Sequence, residues 1–349
     1  MESLEKNIQA IFSDLEFKYI YRKDDIHLWE KVYSQLEYQS NEYKSSRIDL
    51  LNEFNLHGND QYHDLSLIIF SDTNPIALWP LTISVKDTLG QLSSQGSPLL
   101  APIFKSNCPS KTIKKTLNKC LEFCTKINID LSNLTWVSKS TFLNKNQIDN
   151  WHLLCLSNGS KSNIEYNLFV DLTKDIEQIR SCYRSSYKPL INKAEKLWDV
   201  QINGSSTKQS VWKEFRDLHL LVSGRITRSD KSWDLQYAEL LKDEAFLVTL
   251  RDVSGVMIGG ALFTFSLDEG RYDVGAYNRE LFDKPLGHIA QHTAIKELKN
   301  KGIKLYKIGR RYFESDNPKP NSKEISISYF KEGFATHTFP DYVHENSTN

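Results

Sequence analysis

The sequence has no excess of either charge: 44 Lys and Arg balance 44 Asp and Glu. A chain without a net field offers no general attraction to nucleic acid or to an anionic bilayer, so any anion site must be local. No apolar run approaches the ~18 residues that cross a bilayer. The start, MESLEKNIQAIF, lacks the basic-then-apolar pattern of a secretion signal, and a cytoplasmic location is the expectation. Cysteine is scarce and odd in number (Cys108, Cys120, Cys124, Cys155, Cys182), which argues against a disulfide framework. Cys120 and Cys124 share a helical stripe with Ile113, Leu117 and Leu121 and read as small core residues. There is no G-x-S-x-G, no P-loop, and no G-x-G-x-x-G after a strand, so serine hydrolysis, nucleotide hydrolysis and dinucleotide redox chemistry have no positive signal. His288 and His292 stand one helical turn apart, but Ile289 occupies the place of a zinc-peptidase Glu and no third ligand is evident. No metal is expected.

What is present is an ordinary globular composition, 40% hydrophobic and 25% charged over 349 residues, long enough for two domains. The stretch Ala245 to Tyr312 organises the chain. AFLVTLRDVSGVMIGGALFTFS reads as a β-hairpin about a Ser-Gly turn. RYDVGAY follows as a third strand, with Tyr272, Val274 and Ala276 on one face and Asp273, Gly275 and Tyr277 on the other. A Pro-Leu-Gly turn leads into a helix stopped by Gly302, and IKLYKIG is a further strand. A strand ending where a helix begins offers free backbone N–H groups to an anion. Lys284 sits at that junction, with Arg310 and Arg311 at the end of the next strand.

The first half has the same texture. DLSLIIFSDTNPIALWPLTIS reads as strand, turn, strand, QLSSQGSPLLAPIF as a further strand with a Gly-Ser-Pro break, then the Cys120 helix and the strand LSNLTWVS. From hairpin turn to helix start is about 36 residues in one half (Asn74 to Ser110) and about 33 in the other (Gly255 to His288). This order and spacing predict a duplicated α/β unit, residues 1–160 and 161–349, joined through the polar run SNGSKSN (157–163). Beyond it, YNLFVDL alternates as a strand. DIEQIRSCYRSSYKPLINKAEKLWDV carries a basic helical pattern that Pro189 kinks or restarts.

Hairpin, third strand, loop, helix, strand resembles the core of the GNAT acyltransferase fold. That family's donor loop, Gln/Arg-x-x-Gly-x-Gly/Ala, is matched here only at the central Gly287 of Lys284-Pro285-Leu286-Gly287-His288-Ile289. A closer resemblance is to the Fem-type transferases, which hold two GNAT-like units in one chain. It rests on the duplicated order, on the basic segment RSSYKPLINKAEKLWDVQI, and on SISYFKEGFATH, similar to a Phe-Lys-x-Gly-Phe element at Phe330, Lys331, Gly333 and Phe334. The resemblance implies an α/β (α+β) fold of two tandem GNAT-like units, with the active site in the second. It also implies acyl transfer to an amine.

Lys331, read as lying on a late strand, then stands near the phosphate or the oxyanion. Asp273 and Tyr277 orient or deprotonate the amine. Lys284, Gly287 and His288 flank the donor, Arg310 and Arg311 hold phosphate, and the loop carrying Arg225, Arg228 and Trp233 closes over the acceptor. The expected function is an N-acyl or aminoacyl transferase acting on an amine of a nucleotide-linked sugar or a cell-wall or cell-surface polysaccharide precursor. The donor is aminoacyl-tRNA or acyl-CoA, with no tightly bound cofactor. Its rivals are a CoA-dependent N-acetyltransferase and a non-catalytic binding protein that kept the fold.

Overall fold

The computed structural model describes residues 2–130, 134–141 and 149–345. Contacts divide the chain into two compact units, 1–165 with 340–349, and 166–339. The division differs from the expected 160/161 boundary chiefly at the C-terminal end, where the last strand leaves the second unit. No described helix is long and apolar enough to cross a membrane.

In chain order the first unit holds α1 (Glu2–Asp14), β1 (Tyr19–Tyr21), α2 (Ile26–Tyr33), α3 (Ser45–Leu56), β2 (Gln61–Asp64), β3 (Leu67–Ser71), β4 (Asn74–Trp79), β5 (Thr82–Lys86), β6 (Leu89–Ser93), β7 (Leu99–Leu100), β8 (Ile103–Phe104), α4 (Ser110–Asp130), β9 (Leu134–Thr141) and α5 (Asn150–Ser157). β1, β3, β4 and β8 form one sheet, and β2, β5, β6 and β9 another. The predicted hairpin is β3–β4, paired antiparallel. The single strand expected through WPLTIS is broken, because Pro80 has no N–H to continue the ladder, and β5 joins the other sheet. Of the expected strand LSNLTWVS, residues 131–133 lie outside the described residues. Cys120, Cys124 and Cys155 are buried in the core between α4, α5 and the sheets, as small apolar residues.

The second unit runs through β10 (Lys161–Asp171, from Tyr166 on), α6 (Ile176–Ser181), α7 (Tyr187–Leu197), β11 (Asp199–Asn203), α8 (Gln209–Ser223), α9 (Asp230–Leu241), β12 (Ala245–Arg251), β13 (Met257–Phe265), β14 (Glu269–Tyr277), α10 (Leu286–Asn300), β15 (Leu305–Arg311) and α11 (Ser322–Glu332). The final strand, β16 (His337–Glu345), pairs through Asp341–Glu345 with β9 of the first unit. In the second unit the sheet order is β11-β12-β13-β14-β15-β10. Pro189 falls in the first turn of α7 and restarts the basic helix rather than bending it.

The sheet buries both faces. Phe246, Val248, Leu250, Ala261 and Phe263 meet α7, α10 and α11 on one side. Ala245, Leu247, Leu262, Val274 and Ala276 meet α8 and α9 on the other. Near-continuous apolar strands follow from that two-sided burial.

Candidate active site

Two neighbouring strands part company. β14 and β15 pair in parallel only at Glu269–Leu305, Gly270–Tyr306 and Arg271–Lys307. Beyond Lys307, β15 stays bonded to β10 through Arg311, while β14 stays with β13 through Tyr277. Each of those ladders slips register by one residue, between Leu262 and Phe263 and between Leu168 and Phe169. A bulge on each side bends the strands apart and opens a gap between them.

The bulge corrects the expected alternation. With Phe263 opposite Tyr272 and Leu262 opposite Val274, Asp273 is the extra residue. Tyr272 therefore packs with Tyr277 on the α10 face, whereas Val274 and Ala276 face α8 and α9. Gly275 lies between the two phenols: a Cβ there would come within 2.1 Å of Tyr272 Oη and 3.1 Å of the Tyr277 ring. Burial raises both phenol pKa values, that of Tyr277 well above the ordinary one, so both stay protonated. The buried Tyr277 hydroxyl interacts with the Tyr272 phenol beside it. The Asp273 carboxylate is 3.2 Å from Arg271 Nε.

Lys331 enters the same gap, but from a helix. The β-prone run SISYF reads as a strand, and the structure corrects this. A reciprocal capping box between Asn321 and Glu324 starts α11, and the helix runs to Glu332. Lys331 Nζ lies 5.2 Å above the Tyr272 ring, a cation–π distance, and 2.9 Å from where a Cβ on Gly309 would stand. It therefore spans from β14 to β15. Gly309 has φ +143°, a backbone that a side chain would strain as well as crowd. Burial, then the nearby Arg271, lowers the Lys331 pKa to about 8. Among the described residues its ammonium has neither a hydrogen-bond nor an ion-pair partner. A half-buried cation beside a second cation, with no carboxylate of its own, would be stabilised by negative charge brought to it.

The rest of the Phe-Lys-x-Gly-Phe element holds the lysine in place. Phe334 is fully buried against Tyr183 and Tyr187. Gly333 lets α11 meet Tyr187, whose ring would be 2.3 Å from a Cβ there. The last carbonyls of α11 are satisfied from α7 and the turn before it: Tyr187 Oη donates to Phe330 O at 2.9 Å and Arg184 to Tyr329 O at 2.9 Å. The basic segment is thus partly a clamp on the helix that carries Lys331.

α10 begins beside this helix. Its N-terminus has no side-chain cap. Gly287 is there for contact, since a Cβ would press to 3.1 Å on the Phe330 ring. His288 packs edge-on against Tyr187 and Phe330 at 4.6 and 5.0 Å, and burial followed by Arg184 lowers its pKa to about 4. It is a neutral ring at pH 7. Lys284 is half-buried just before the helix, and its ammonium has no partner among the described residues.

Other expected residues stand elsewhere or are occupied. Arg310 pairs with Asp316 at 3.3 Å, and Arg311 with Glu332 at 3.2 Å. Trp233 is a core residue with Trp212 and Phe215, and Arg228 stacks over it at 4.7 Å. Arg225 is exposed in the turn between α8 and α9, helices on the opposite face of the sheet. The structure does not group Arg225, Arg228 and Trp233 with Lys331. Sequence reasoning missed Tyr272, Arg271, Tyr187 and Gly309; the lone Gly closing the strand-like run IKLYKIG was the available signal for Gly309. Among the described residues no cluster of His, Cys, Asp and Glu could hold a metal ion.

No family model matches the chain, and no curated protein matches it in sequence. Solved structures do match it in fold. FemX superposes with a TM-score of 0.66 over 94% of this chain and 97% of its own, at 12% identity. The chain has the FemX fold. L-PGS from Bacillus licheniformis superposes at 0.58, with 12% identity and 93% of each chain covered. A conserved protein from Bacteroides thetaiotaomicron does so at 0.57, with 8% identity and 94% and 98% covered. At such identities the likeness is one of fold. The FemX fold extends over nearly the whole chain.

Proposed function

We propose that the protein is an N-acyl or aminoacyl transferase whose acceptor is an amine on a nucleotide-linked sugar or cell-wall precursor. The observation that carries this is the Lys331 ammonium, held without a counter-ion in the gap between β14 and β15. The FemX fold and the Phe-Lys-x-Gly-Phe element support the same reading.

A neutral amine attacks the acyl carbon of an ester or thioester, a C–N bond forms, and the carbonyl oxygen becomes an oxyanion. Lys331 and the protonated Tyr277 hydroxyl stabilise that charge. The C–O or C–S bond then breaks. The proton lost by the amine passes through water or Asp273, and the leaving oxygen or sulfur is protonated. Tyr277 acts as a donor and not as the base, because burial keeps its proton on. The free amides at the start of α10, with Lys284, face the donor's phosphate.

Aminoacyl-tRNA is the first donor reading. Lys284 and Ile289 depart from the coenzyme A loop, so acetyl-CoA should bind weakly. The test offers radiolabelled aminoacyl-tRNA and acyl-CoA in parallel with amine acceptors bearing a UDP-sugar. Transfer from the tRNA ester, lost in Lys331→Ala, is the expected result. Micromolar acetyl-CoA binding by calorimetry, with transfer from the thioester, would instead establish the CoA-dependent reading.

A further inference from the structure

The first unit contains a cleft of about 620 Å³ beside α4, within the size range of small-molecule sites. Its floor is apolar, formed by Phe17, Ile69 and Phe70. One wall is the outer face of α4, where Lys111, Thr112, Lys115 and Thr116 occupy successive turns. None of these four side chains has a hydrogen-bond or ion-pair partner among the described residues.

Two features set this wall apart from a solvated helix face. Lys111 and Lys115 are like charges at i,i+4 near a helix N-terminus, where both their mutual repulsion and the helix dipole oppose them. Thr116 is only 8% exposed and lines the cleft, and its hydroxyl has no protein partner among the described residues, so the open space of the cleft is where it can bond. An anion seated against the wall resolves both. The remaining lysines of the cleft are already engaged, Lys119 donating to Glu16 O at 3.0 Å and Lys18 lying 3.9 Å from Asp72.

We infer that this cleft binds a phosphorylated small molecule. Its phosphates are held by Lys111, Lys115 and the Thr112 and Thr116 hydroxyls, and its planar or apolar body covers Phe17, Ile69 and Phe70. The carboxylates of Glu16 and Asp72 also line the cleft and disfavour a long polyanion such as RNA. The site lies wholly within the first unit and does not depend on Lys331 or on the transfer reaction.

The test is calorimetric titration of the full chain with ADP, UDP and inorganic pyrophosphate. The nucleoside diphosphates should bind at one Lys111- and Lys115-dependent site per chain, besides any held at the transfer site, and there more tightly than pyrophosphate because the floor adds apolar contact. Lys111→Glu with Lys115→Glu should weaken binding at least about tenfold, and Thr116→Val by a smaller factor, since the first reverses two full charges facing the phosphates and the second removes one hydroxyl donor. Both lysines are exposed, and an acid near the helix start is favourable, so the melting temperature of the double variant should hold or rise. In Lys331→Ala the Lys111- and Lys115-dependent binding should remain, which separates this site from the transfer site. Absence of diphosphate binding, or binding indifferent to the double substitution, overturns the proposal. Lysine-dependent binding to phosphatidylglycerol vesicles or to RNA, without diphosphate binding, overturns it in favour of a surface contact.

Discussion

Lys331 concentrates the chemistry of the second unit in one ammonium. If it meets the developing oxyanion, Lys331→Ala should lower kcat by ~10²–10³ with little change in KM. If it holds a ground-state phosphate instead, KM should rise and kcat should stand, so the split between the two constants decides the role. Lys323→Ala, on the first turn of the same helix, serves as the control and should do little. With a pKa of about 8, the lysine is mostly charged at pH 7 and loses its charge as pH rises through that value. The rate should therefore climb as the acceptor amine deprotonates and then fall above about pH 8. Lys331→Arg should lack the falling limb, because a guanidinium stays charged. Gly309→Ala is a second probe. The Lys331 tip can swing aside, but φ +143° cannot be relieved, so a loss of ~1–3 kcal/mol in stability should accompany a displaced ammonium and a lower kcat.

At the scale of elements, the gap exists because two bulges bend β14 and β15 away from each other, and α11 then delivers a long side chain into it. The delivery depends on how closely α11 meets the Tyr187 end of α7. Gly333→Ala would put a methyl 2.3 Å from Tyr187 Cε2, against a ring packed between Phe334, His288 and Phe330. A ring so enclosed cannot yield cheaply, and a loss of ~1–3 kcal/mol is expected in urea denaturation. The bond from Tyr187 Oη to Phe330 O should be lost with it, freeing the end of α11. A kcat loss larger than the change in folded fraction would show that this clamp positions Lys331 rather than merely stabilising the fold.

For the whole molecule, buried histidines set the acid limit. His292 is 2% exposed, within 3.2 Å of Tyr183 Oη and 3.3 Å of Arg180. Burial first, then Arg180 and Lys296, lower its pKa to about 4. His288 and, in the first unit, His344 are lowered to about 4 as well, both chiefly by burial. A folded pKa below the unfolded ~6.5 means that the unfolded chain binds more protons between those values. Stability should therefore fall as pH drops from about 6.5 towards 4, by up to about 3 kcal/mol for His292 alone. Urea denaturation from pH 7.5 to 4.5 measures the slope, and His292→Asn should flatten it. An unchanged slope in that variant would assign the acid loss to other groups.

What the sequence by itself determined was the set of local elements. The hairpins β3–β4 and β12–β13, the helix stopped at Gly302 and the restart at Pro189 all rest on turn chemistry and periodicity within a few residues. The short element FKEGF also marked Lys331 in advance, although as part of a strand. Composition misled there, since β-branched and aromatic residues in SISYF were overruled by a capping box and by packing on α7. Only the tertiary structure decided which residues share a space. The bulge at Asp273 turned Tyr272 onto the face of Tyr277, and the opposite face of the sheet took Trp233 and Arg228. Arg310 and Arg311 spent their charge on Asp316 and Glu332. A register slip and the choice of sheet face depend on partners tens of residues away, so no local pattern in the chain records them.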